Sequence, residues 1–105
     1  MRVSIYFIAT GILASTLAAQ DADPGRVVFE GRCARCHGAD GTGGPNGHSV
    51  VDRAYLKLTS DYGLRVAIVV GRPELGMPDW RTDAPDRAMT PQEIEDVVAW
   101  LASHR

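Results

Sequence analysis

The sequence predicts an all-α fold, and three stretches carry that prediction. Thr90-Pro91-Gln92-Glu93 is a capping box with proline at the first helical position. Ile94, Val97, Val98 and Leu101 follow it as an i, i+3, i+4, i+7 apolar stripe, with Trp100 beside the stripe. A second helix is expected over Asp61 to Val70. Ser60 can cap it, Leu64, Ala67, Ile68 and Gly71 share one face, and Gly71 can end it. The run Val66 to Val70 is β-branched enough for a buried strand, but the helical spacing and the terminal glycine favour a helix. A third helix opens at Asp23-Pro24-Gly25, with Asp as cap and Pro at the first position, and runs through Val27, Val28 and Phe29 towards Cys33.

The chain has 105 residues, enough for one domain. Its first part reads as a targeting segment. Arg2 precedes an apolar stretch from Ile5 to Leu17, and Thr16-Leu17-Ala18-Ala19 suits a signal-peptidase cut after Ala18. Residues 1–18 are therefore expected to be a signal peptide, or else a retained anchor, although the stretch falls short of the roughly 20 residues that span a bilayer. Residues 19–105 form the remaining domain. A domain this small buries only about 60–65% of its unfolded surface, so a disulfide, metal or cofactor often supports it. The formal net charge of −2 and the lack of a basic cluster argue against a nucleic-acid partner.

Two cysteines are present, and both lie in Cys33-Ala34-Arg35-Cys36-His37. This is C-x-x-C-H, the attachment signature for c-type haem. Each thiol would add across one vinyl group of the ring, and the next residue, His37, would supply the proximal imidazole. Three other readings compete. A thioredoxin-like dithiol wants a βαβ context that is not visible here. A zinc site would need His48 or His104 as its fourth ligand. A plain disulfide is the usual use of two cysteines in an exported chain. The chain has no second C-x-x-C-H and no internal repeat, so one haem is expected.

From about Pro24 to the C-terminus the chain resembles the class I cytochrome c family. The resemblance rests on Cys33-Ala34-Arg35-Cys36-His37 and on the methionine segment Gly71-Arg72-Pro73-Glu74-Leu75-Gly76-Met77-Pro78-Asp79-Trp80. It rests also on the first and last helices, where Gly25 and Phe29 match the family's glycine and aromatic and Trp100 matches the aromatic that packs on them. The resemblance implies a small cytochrome c fold, three to four helices wrapped around one covalent haem c, with His/Met ligation. Between the motif and the second helix lies Gly38 to Gly47, a loop with five glycines, able to press close to a flat cofactor. In the family a loop proline offers its carbonyl to the other nitrogen of the proximal histidine. Pro45 is the candidate here, although Gly47 stands where the family usually has an apolar residue.

Met77 is the candidate distal ligand. A methionine between Gly76 and Pro78 has a fixed direction for its sulfur, whereas a packing methionine belongs inside an apolar helix. Met89 and His48 are its rivals; Met89 reads better as a packing residue, and His48 and His104 as solvent-exposed. By resemblance, Arg72 and Trp80 flank the methionine segment as candidate partners of the haem propionates, whose charge needs such groups when buried. Tyr55 and Tyr62 read as core or pocket wall.

The resemblance implies an electron carrier and not an enzyme, and the chain shows no nucleophile–base pair, phosphate loop or paired acid site. The expected function is single-electron transfer in an extracytoplasmic, periplasmic redox chain, between a donor and an acceptor protein. Contact with a membrane would come only through partners or a retained anchor. A subunit of a larger redox complex (quinol-oxidising complex, oxidase or dehydrogenase) is the alternative, and a ligand sensor or peroxidase-like enzyme with Met77 off the iron is the third reading.

Overall fold

The structure, a computed structural model, describes residues 1–6, 23–82 and 87–105. Among the described residues there are five α-helices and no strand: α1 Pro24–Arg32, α2 Ala34–His37, α3 Arg53–Leu58, α4 Asp61–Val70 and α5 Pro91–Ala102. A 3₁₀ turn at Pro73–Leu75 follows α4. The all-α expectation holds. Residues 7–22, which carry most of the segment read as a signal, lie outside the described residues. No described helix is long and apolar enough to cross a membrane.

The three helices expected from local signals form where those signals stand. Asp23 caps α1 by accepting from the Gly25 N–H at 2.9 Å, and Ser60 caps α4 by accepting from Gly63 at 3.1 Å. At α5 the capping box is complete: Thr90 Oγ1 accepts from the Glu93 N–H at 3.1 Å, and Glu93 Oε1 accepts from the Thr90 N–H at 3.0 Å. Helix α3 is an addition to the three expected segments. Asp52 caps it through the Tyr55 N–H at 2.9 Å, and its Leu56 is fully buried. At six residues it is too short to show a helical repeat in the sequence.

The core forms where α5 crosses α1 and α4. Ile94, Val97, Val98, Trp100 and Leu101 are all buried on α5. Phe29 of α1 packs on Trp100 with ring centroids 4.7 Å apart. Gly25 makes the close crossing possible, since a Cβ there would sit 2.1 Å from the Asp96 carbonyl oxygen and 2.5 Å from Trp100 Cβ. Side chains of this size contribute about 1.5–3 kcal/mol each when fully buried, so this crossing is a large source of stability. Leu64 and Ile68 bring α4 onto the same core, while Arg65 on its outer side makes a two-pronged bond to Glu95 of α5 at 2.6 and 2.7 Å. Met89 is buried in this core too, which is the packing role expected of it.

Two expectations about single residues change. His104 is half-buried, not solvent-exposed: its Nδ1 lies 2.8 Å from the Trp100 carbonyl oxygen and its ring stands edge-on to Trp100 at 4.5 Å. Arg105 holds the C-terminus down by donating to the carbonyls of Leu56 and Thr59 and to Asp61, at 3.0, 2.6 and 2.5 Å. Tyr62 is exposed on α4 and belongs to neither core nor pocket, whereas Tyr55 is half-buried against the core.

Candidate haem-binding site

The site begins where α1 gives way to α2. Cys33 forms the joint, and its carbonyl accepts from the N–H groups of Cys36 and His37 at 3.2 and 3.0 Å. That single turn is closed by the Gly38 N–H donating to Ala34 at 2.8 Å. It places Cys33, Cys36 and His37 along one wall of a cavity of about 620 Å³. A second lobe of about 380 Å³ shares His37, Ile68, Arg72 and Met77 with it and reaches α4.

Cys33 and Cys36 are both half-buried at the cavity and are not bonded to each other. Burial pushes the Cys33 thiol up to about 12, against the smaller opposing pull of Arg32. Among the described residues no group of three or more His, Cys, Asp or Glu is placed to hold a metal ion, which counts against the zinc reading.

His37 is oriented by the glycine loop, but not through Pro45. Its Nδ1 lies 2.7 Å from the carbonyl oxygen of His48. The loop tip closes when the Gly44 N–H donates to the Gly47 carbonyl at 3.0 Å, and this leaves Pro45 exposed at the tip. The chain then runs against the imidazole. A Cβ at residue 47 would sit 2.7 Å from His37 Nδ1 and 2.9 Å from the Cys36 carbonyl oxygen. Gly47, the departure from the family pattern, thus stands where the chain passes too close to the imidazole for a side chain. The His48 ring itself is exposed and stands edge-on to His37 at 5.5 Å and to Tyr55 at 5.7 Å.

Met77 is held by backbone on both sides. Arg72 and Met77 form an isolated antiparallel bridge, the Arg72 N–H donating to Met77 at 2.9 Å and the Met77 N–H to Arg72 at 3.1 Å. The 3₁₀ turn between them closes on Gly76 in the left-handed region, at φ 89°. Gly71 opens the segment at φ 64°, so close to the chain beyond Met77 that a Cβ would lie 2.2 Å from the Pro78 carbonyl oxygen. The half-buried Met77 lines both lobes, as does His37. Met89 lines neither.

Arg72 and Trp80 both reach the cavity wall, in different states. The Arg72 guanidinium is largely exposed and pairs with Glu74, whose carboxyl it holds below its ordinary value. Trp80 is half-buried, and its carbonyl accepts from the Met89 N–H at 2.7 Å. Arg32 was not singled out from the sequence. It stands directly before Cys33, is half-buried, lines the cavity and lies over the Trp80 ring, its guanidinium carbon 5.9 Å from the centroid.

Two thiols, an imidazole and a thioether thus converge on one cavity whose volume lies in the range of about 300–1,000 Å³ typical of cofactor sites. Backbone without side chains passes beside the imidazole. This donor set fits a haem attached through Cys33 and Cys36. A comparison with curated proteins gave no match. The family comparison did: residues 22–105 match the cytochrome c family over most of the chain, and the protein therefore belongs to that family.

Proposed function

We propose that this chain is a single-electron carrier whose haem is attached through Cys33 and Cys36 and ligated by His37 and Met77, working in an extracytoplasmic, periplasmic redox chain. Membership of the family gives the coarser part of this: haem-based electron transfer with redox proteins as partners, generally without enzymatic activity. One observation supports the finer part. His37 and Met77 wall the same cavity, the His37 imidazole held by the His48 carbonyl and the Met77 backbone by its bridge to Arg72.

When bound, the haem supplies a one-electron iron couple, which a thioether ligand moves to higher potential than a second imidazole would. The chain's own residues do the rest. The His48 carbonyl fixes the tautomer and plane of His37, as outer partners of ligating histidines do. The Arg72–Met77 bridge limits the freedom of the Met77 backbone. Phe29, Val50, Ile68 and Leu101 line the cavity with apolar surface that excludes water.

A second reading, a subunit of a larger membrane redox complex, is favoured by one feature. Leu58 at the end of α3 is 90% exposed and Tyr62 in the first turn of α4 is 70% exposed, and neither lines the cavity. Such apolar surface suits a lasting protein partner.

The test is to produce the chain with a haem-maturation system and record its oxidised and reduced visible spectra beside a pyridine haemochrome assay. We expect two thioether bonds and the weak far-red band of sulfur-ligated ferric iron. That band should vanish in Met77→Ala and persist in Met89→Ala and His48→Ala. Haem without the band would remove Met77 from the iron; no covalent haem would overturn the proposal. Carbon monoxide binding to the native reduced protein would favour a sensor or peroxidase-like role. Co-elution with membrane proteins from the native source would favour the subunit reading.

A further inference from the structure

We infer that the Arg32–Glu93 ion pair sets the reduction potential of the haem site, Arg32 holding it up and Glu93 tempering it. The inference rests on the ligand reading above. Arg32 ends α1 directly before Cys33, and its side chain walls the cavity lined by Cys33, Cys36, His37 and Met77. Its guanidinium is held on three sides. Nη1 donates to the Arg87 carbonyl at 2.5 Å, Nη2 lies 3.8 Å from Glu93 Oε2, and Trp80 lies beneath. Glu93 is anchored as well, because its other oxygen serves the capping box of α5. The two side chains are 27% and 31% exposed.

The polarity of this pair follows from its placement. Arg32 lines the cavity and Glu93 does not, so the positive partner of the pair is the one nearer the site. Reduction adds one electron, with no bond made or broken. A nearby cation stabilises that added charge and an anion opposes it, and partial burial spares both from full screening by water and salt. Arg72, the other cation on the cavity wall, is largely exposed and has Glu74 beside it, so its influence is weaker.

The experiment is a redox titration of the haem-loaded protein as wild type, Arg32→Gln, Glu93→Gln and the double variant. Gln at residue 93 can keep the capping box, so that variant removes a charge and spares the cap. Arg32→Gln should shift the equilibrium towards the oxidised form about threefold, roughly 28 mV at 59 mV per decade for one electron. Glu93→Gln should shift it the other way by a smaller factor, and the double variant should fall between. Arg32→Lys should recover most of the wild-type potential although its contacts with Arg87 and Trp80 change. A purely structural role would lower the thermal midpoint in both single variants and move both potentials in the same direction or not at all, which overturns the inference. Should Arg32→Gln fail to hold haem, Glu93→Gln alone decides: a rise supports the inference, and no change or a fall defeats it. The wild-type spectrum is read first: no covalent haem there would defeat the ligand reading and this inference with it, whereas haem without the far-red band would defeat only the Met77 assignment and leave the titration to decide this one.

Discussion

The crossing of α1 and α5 and the two loops that present His37 and Met77 are held together by different means. At the crossing, Phe29, Val97, Trp100 and Leu101 are buried side chains in mutual contact, and Gly25 matters because it lets two backbones touch. In the loops, the ordering comes from backbone hydrogen bonds, Gly44 to Gly47 in one and Arg72 to Met77 in the other, with almost no buried side chain. The first region supplies stability by removing apolar surface from water. The second supplies direction, because a short hydrogen-bonded turn holds the backbone of a proposed ligand in one place. Damage to the two should therefore read out differently.

The largest expected effect comes from breaking the crossing. Trp100→Ala removes the ring on which Phe29 and His104 pack and should cost about 3–5 kcal/mol in chemical denaturation. Molecules that remain folded should keep the far-red band. Gly47→Ala tests the opposite case. Its Cβ has no room beside His37 Nδ1, so about 1–2 kcal/mol of stability should be lost, with a disproportionate change in the haem spectrum and potential. If the spectrum stays wild-type while stability collapses, the contrast between the two regions is wrong.

Two smaller effects sharpen the picture on the stability side. Thr90→Ala removes one side of the capping box and should cost about 1 kcal/mol, with the spectrum unchanged. Glu95→Gln should have the smallest effect, and it should depend on pH. The hydrogen bonds from Arg65 hold the Glu95 carboxyl below its ordinary value of 4.5. The stability this gives is present above that value and is lost as pH falls through the lower folded value. The variant should therefore melt slightly below wild type near neutral pH, and the two should converge in acid. A gap that widens in acid would reverse the sign of this argument.

Much of this molecule was legible in the sequence wherever the signal was local. Asp23-Pro24, Ser60 with Gly71, and Thr90 with Glu93 each declare a helix end through a cap whose donor lies within three residues. Helix α3 escaped because six residues give one buried position, Leu56, and no repeat. Pro45 was the wrong carbonyl for a related reason. A proline marks a turn, but which carbonyl emerges opposite a distant imidazole depends on how the whole loop closes, and Gly44 to Gly47 closes it with Pro45 outside. His104 was misplaced because nothing adjacent in sequence shows that a terminal residue will fold back onto Trp100.

By itself, then, the sequence determined the C-x-x-C-H spacing, the starts of the three longer helices and a methionine segment built for direction, because each is a relation between residues a few positions apart. The tertiary structure alone decided that His48 serves His37, that Arg72 spends its charge on Glu74, and that Arg32 stands at the cavity wall paired with Glu93. The His48 and Arg32 contacts join separate stretches of chain, and even the short Arg72–Glu74 pair depends on how the turn at Pro73–Leu75 faces solvent. Such relations are set by how helices pack and loops close, and no local pattern records them.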